Sequence, residues 1–183
     1  MSTATAEETE TKPVEIFRKD YQPLDIVVNK INMDFDIRDG QTIVTSELFL
    51  EKNPKLEWDP DAEHDLVLDG DETSITLKSI ELNGKPLQEG TDYVLEPAKL
   101  TLKNPPPGSV LKTVVSIVPE DNTQLSGLYK SGPMYCTQCE AEGFRKITYY
   151  QDRPDVLAKF RTTIVADAQR CLLYTSDAAD DTP

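Results

Sequence analysis

The residues able to do chemistry crowd into one stretch. Tyr135-Cys136-Thr137-Gln138-Cys139-Glu140-Ala141-Glu142-Gly143-Phe144-Arg145 sets two thiols, an amide, two carboxylates and a guanidinium side by side. Polar groups this dense, between aromatics, suit neither a plain strand nor a solvent loop; a folded site is their natural home. In an extended segment Gln138 and Glu140 lie two apart and project from the same face. An amide oxygen beside a carboxylate makes a receptor for an ammonium group, which has three N–H donors to satisfy. Opposite charges ~4 Å apart attract by about 4 kcal/mol at the effective dielectric near a protein surface, against about 1 kcal/mol in water. Such a contact is therefore useful only in a partly closed pocket. The same residues also fit a solvated acidic turn, with Glu140 or Glu142 paired to Arg145 or Arg153. On residue type alone both readings stay open.

The Cys136-x-x-Cys139 pair is read as free thiols in a packed turn. Structural zinc needs four ligands, and the sequence offers neither a second such pair nor a pair of histidines, so no metal is assigned here. A thioredoxin-type motif expects a strand-to-helix context, and a redox module would also need a depressed thiol pKa. The one histidine, His64, sits far away between Glu63 and Asp65. There is no His-Glu-x-x-His, no Gly-rich phosphate loop, no Gly-x-Ser-x-Gly and no candidate triad. Nothing here activates water or a nucleophile unaided, so no catalytic residue is assigned and the chain reads as a binding fragment.

The elements that must position this stretch are strands. Leu24, Ile26 and Val28, then Ile31, Met33, Phe35 and Ile37, alternate with polar residues, the period-two signature of a half-buried strand. Val27 beside Val28 predicts a change of face or a bulge. Asp39-Gly40 turns the chain into a returning strand over 43–50, giving a hairpin that needs a second layer to cover its apolar face. The stretch 53–65 reads as a loop. Further short strands are predicted at 66–68, 75–82, 93–95, 100–102 and 110–118, with Asn83-Gly84 the strongest hairpin signal, and a last one at 160–166. Thirteen prolines fit this better than any helical bundle. The fold class is therefore all-β, a sandwich or saddle.

Composition narrows the partners. In 183 residues there are 19 Lys plus Arg against 33 Asp plus Glu, a net charge of −14, which repels phosphate backbones and anionic lipid. Neither nucleic acid nor a membrane is an expected partner, and a cationic ligand such as a free peptide N-terminus is favoured. Residues 1–16 are polar and acidic and read as a disordered lead-in. With no signal run, no disulfide framework and no apolar span, a reducing, cytoplasmic compartment is expected, an organellar one being the alternative.

The residues also carry a resemblance. Gly127-Leu128-Tyr129-x-Ser131-Gly132, the block 135–145, and Ile147-Thr148-Tyr149-Tyr150-x-Asp152-Arg153-Pro154-Asp155-Val156 resemble the N-terminal domain of the bacterial-type aminopeptidase N family of zinc gluzincin peptidases. Tyr21-x-Pro23 and the hairpin bearing Asp34-Phe35-Asp36 and Thr42-x-Val44-Thr45 resemble the start of that domain. The likeness runs over 17–168, and Gln-Cys-Glu-Ala-Glu-Gly-Phe-Arg is its most specific part.

The resemblance implies a saddle-shaped β domain stacked on a thermolysin-like catalytic domain of the same polypeptide. It implies that Gln138 and Glu140 hold the α-amino group of a peptide substrate, with Glu142, Phe144 and Arg145 keeping the loop in shape. Zinc is implied for the full-length enzyme, with its ligands, the general base and the second amine anchor outside this chain. The fragment alone is expected to bind no zinc and to be inactive. Residues 169–183 break from the family pattern and read as an artefactual tail. The competing readings are a stand-alone β-sandwich interaction module without catalysis and a redox module.

Overall fold

The computed structural model describes residues 17–167; the expectations for 1–16 and 169–183 fall outside those residues. Period-two patterning produces the first hairpin, β1 (Ile26–Arg38) and β2 (Gln41–Lys52), turned at Asp39-Gly40, where Gly40 takes a φ of 75°. The predicted irregularity is there: the register slips between Val28 and Lys30. Its effect is to keep the apolar side facing inward, since Ile26 and Val28 are buried before the slip and Ile31 and Met33 after it. Without the extra residue the strand's apolar set would switch faces half-way.

Shorter strands follow: β3 (Leu66–Asp69), β4 (Thr76–Leu82), β5 (Lys85–Pro86), β6 (Tyr93–Glu96), β7 (Lys99–Leu102) and β8 (Val110–Ile117). The Asn83-Gly84 pair makes the tight turn between β4 and β5, both residues at positive φ as that turn requires. After them come β9 (Gly127–Ser131), β10 (Met134–Gln138) and the edge strand β11 (Lys159–Val165). Among the described residues the only helical pieces are two 3-10 turns, so the all-β expectation holds.

The strands form a six-stranded sheet in the order β11-β1-β2-β8-β4-β5, a three-stranded sheet β3-β7-β6 and the hairpin β9-β10. Only β11 runs parallel to its neighbour, β1. The second layer that the long hairpin needed is the small sheet. Leu66, Leu68, Leu100 and Leu102 from it join Ile31, Met33, Val44, Leu48 and Leu111 from the large sheet in one core. The segment after β10 closes this core, with Ile147, Tyr149 and Tyr150 buried in it.

Candidate functional site

The predicted site begins where β10 ends. Gln138 is the strand's last residue, paired with Gly127, and Glu140 stands beyond it in a turn. The expectation of one extended segment carrying both side chains is therefore corrected, because the chain leaves the ladder between them. The turn brings them together by another route: the Gln138 side-chain amide donates to the Glu140 main-chain carbonyl at 2.8 Å. The Glu140–Ala141 peptide is cis, and Glu142 takes a positive φ of 62°. Gly143 N–H donates back to the Cys139 carbonyl at 2.8 Å and shuts the turn.

Gln138, Glu140 and Glu142 are all exposed. Their electrostatic settings differ. Glu142 faces Arg145 across 3.5 Å, one of the pairings the acidic-turn reading anticipated. Arg153 is engaged elsewhere, in a two-pronged contact with Asp155. The carboxylate of Glu140 has neither an ion pair nor a hydrogen bond among the described residues.

Below the turn the contacts become specific. Arg145 meets Asp152 three times: its backbone N–H and its Nε–H each donate to Oδ2 at 3.1 Å, and its guanidinium donates to the carbonyl at 3.1 Å. Asp152 in turn donates its backbone N–H to Asp69 Oδ2 on β3, also at 3.1 Å. Burial pushes the Asp69 carboxyl above its usual range while the Arg145 guanidinium opposes that shift. Phe144 packs edge-on against Tyr150 and Phe160, with ring centres 5.0 and 5.7 Å away. Burial drives the Tyr150 phenol up to about 12.

One residue escaped sequence reasoning altogether. Gln151 is 1% exposed, and its amide reaches into the irregular part of β1, accepting from Val28 N–H at 3.0 Å and donating to the Ile26 carbonyl at 2.7 Å. These are main-chain groups beside the register slip, and Gln151 supplies the partners they need. Asp152 is largely covered and works inward. A nearby Ser46–Thr148 hydroxyl pair at 2.9 Å adds a further tie between β2 and this segment.

The two thiols are free, and burial, reinforced by Asp152 and Glu140, raises the Cys139 pKa. A shift in that direction opposes thiolate formation and the redox reading. His64 is committed structurally, stacked on Trp58 at 3.8 Å, with Nδ1 3.0 Å from Asp25 and Nε2 2.7 Å from the Asp59 carbonyl. Among the described residues no three His, Cys, Asp or Glu side chains gather in a way that could hold a metal. The residues described therefore do not fit a zinc site. No helix among them is long and apolar enough to cross a membrane.

Residues 27–180 match the Peptidase M1 N-terminal domain. The chain belongs to that family. Similar proteins include aminopeptidase N of Caulobacter vibrioides, 38% identical over 86% of this chain, and aminopeptidase N of Escherichia coli, 39% identical over 85%. The chain spans 17% of the length of each. Among solved structures, Legionella pneumophila aminopeptidase A in complex with aspartic acid superposes with a TM-score of 0.69 at 32% identity, over 81% of this chain and 17% of that one. An M1 zinc metallopeptidase from Deinococcus radiodurans shares the fold, with a TM-score of 0.58 at 16% identity over 76% of this chain and 32% of its own. The M1 N-terminal assignment accounts for the all-β fold and for the resemblance carried by 127–156.

Proposed function

We propose that this M1 N-terminal domain is the substrate-recognition part of a zinc-dependent aminopeptidase that removes single residues from the free N-terminus of peptides. Gln138 and Glu140 receive the substrate's α-amino group, and Glu142, Phe144 and Arg145 hold the turn that presents them. The observation that carries this is the state of Glu140. Its carboxylate sits on a turn closed at both ends, without a cation of its own, beside an amide whose N–H already serves the turn. That leaves the Gln138 amide oxygen and the Glu140 carboxylate as acceptors, the complement an ammonium group requires.

Fixing the amine in place would put the first peptide bond, and no later one, at a set distance from the reactive centre. Zinc would supply the polarising and water-activating chemistry, held by residues of the longer polypeptide and not by those described here. The partners are then a peptide with a free amino terminus and the catalytic domain of the same polypeptide, in a cytoplasmic setting that keeps Cys136 and Cys139 reduced.

The test is Glu140→Gln in a full-length enzyme carrying this domain, assayed on an alanyl substrate. Losing a charge pair that the catalytic domain would partly enclose is expected to raise KM at least about tenfold, each tenfold corresponding to about 1.4 kcal/mol. Unchanged KM and kcat would remove Glu140 from substrate binding and leave the interaction-module reading in possession.

A further inference from the structure

The turn bearing Glu140 is not held by β10 alone, and the way it is held identifies further residues that set where the amine binds. Gly143 has φ −89° and ψ −17°, an ordinary right-handed conformation open to any residue, so its backbone does not call for glycine. Space does. A Cβ at this position would lie 2.4 Å from the Gln138 carbonyl oxygen, 2.9 Å from Cys139 Cα and 3.1 Å from Ser126 Oγ. The first two are main-chain atoms that no rotamer change can clear. Any side chain at 143 must therefore push away the backbone on which Gln138 stands and from which the turn to Glu140 starts.

Arg145 fixes the other side of the turn. Two residues past Gly143, it is bound at three points to Asp152, which hangs by its N–H from Asp69 of the small sheet. The bridge between Asp69 and Tyr150 anchors this strut to β3. The Glu142–Arg145 contact adds little to it, since the Glu142 side chain is mostly in solvent and a pair of this kind is weak.

From this we infer that Gly143 and Asp152 are positioning residues for the amine anchor: Gly143 by the close approach that only its missing side chain permits, Asp152 by locking Arg145 and with it the far end of the turn. Neither touches substrate. They determine how deep, and at what angle, the Gln138–Glu140 pair meets the ammonium group. The inference rests on the proposed role of Glu140, and the experiment separates the two.

In the same full-length enzyme, Gly143→Ala, Asp152→Asn and Glu140→Gln are compared by KM, kcat and melting temperature. A misplacement of the anchor by a fraction of an ångström to one ångström is expected to raise KM by about tenfold in Gly143→Ala while kcat stays within about twofold. Asp152→Asn keeps an oxygen acceptor but loses the charge, and a smaller rise in KM, about threefold, is expected. Because the Asp152 variant leaves Gly143 and its contacts untouched, it tests the inference even where the alanine compromises folding. If Glu140→Gln raises KM while both other variants leave it unchanged, the positioning inference is overturned and the amine-anchor role stands. A fall in kcat in step with the folded fraction, at constant KM, would make both residues merely structural and overturn it as well. No effect of Glu140→Gln would overturn both.

Discussion

In β2 alternate residues from Thr42 to Leu50 are buried, whereas from Gln138 to Glu142 only Cys139 is even partly covered. The two regions are therefore held in place by different forces. The sheet's faces are fixed mainly by apolar area withdrawn from water, a force without direction that tolerates apolar side chains of suitable volume. The turn is fixed by hydrogen bonds, a guanidinium clamp and a glycine contact, each of which demands particular atoms at particular distances. A sheet can be specified by pattern, while a turn held this way has to be specified residue by residue.

The sharpest break in this contrast comes from the sheet. Leu48 is 0% exposed, on a strand with a neighbour on each side. Leu48→Ala is expected to destabilise the domain by about 3–4 kcal/mol, the lost transfer free energy plus a cavity that two flanking strands keep from collapsing. Urea unfolding gives the value directly. A loss below ~1 kcal/mol would mean that the sheet repacks freely around the missing side chain.

Gln151 lies on the border between the two regimes, because it joins the site segment to β1 through hydrogen bonds inside the core. Gln151→Ala strands Val28 N–H and the Ile26 carbonyl in an apolar setting, at a cost of about 2–3 kcal/mol. The same unfolding experiment checks it. Hydrogen exchange adds a second readout, since faster exchange should appear at Val28 and leave the centre of β2 protected.

This border also marks how far the sequence could be read. The β1–β2 hairpin, the irregularity near Val28 and the Asn83-Gly84 turn all follow from alternation and turn chemistry, which act between near neighbours. The density of polar groups at 135–145 marked the candidate stretch, and the turn there does bring Gln138 against Glu140. What local pattern could not give is the partner of each group. Nothing near Gln151 in the sequence marks it, and only its contacts with the irregular part of β1, over a hundred residues earlier, make it a core residue. The sequence around Asp152 does not show that Arg145 and Asp69 draw it inward. Nothing in the sequence marks Gly143 as a glycine needed for space, which only its approach to the Gln138 carbonyl reveals. The strand assumed to carry Gln138 and Glu140 together ends between them because the turn's own hydrogen bonds replace the ladder.

The smallest expected effect comes from a third arrangement, a charge held inside the scaffold. The Asp59 carbonyl can only accept, so Nε2 of His64 carries a proton; the Asp25 carboxylate, when ionised, also only accepts, so Nδ1 carries one too. The contacts around His64, 6% exposed under Trp58, therefore favour the imidazolium, and Lys52 lies over the Trp58 ring without reversing that preference. Its pKa is raised, first by the hydrogen bond to the Asp59 carbonyl and then by that to Asp25. A group bound more tightly to its proton in the folded state contributes its full stabilisation below the unfolded value of about 6.5 and loses it as pH rises through the folded value. The carboxylates with lowered pKa values, Asp71, Glu120 and Asp155, remain ionised across this window and do not mask the change. The melting temperature should therefore fall between pH 6 and pH 8.5 in the natural chain and fall less in His64→Gln, which keeps hydrogen-bonding capacity but cannot titrate. Equal falls in the two proteins would show that the histidine is not held charged, and that the 53–65 loop is pinned by Trp58 packing alone, by the same undirected force as the sheet.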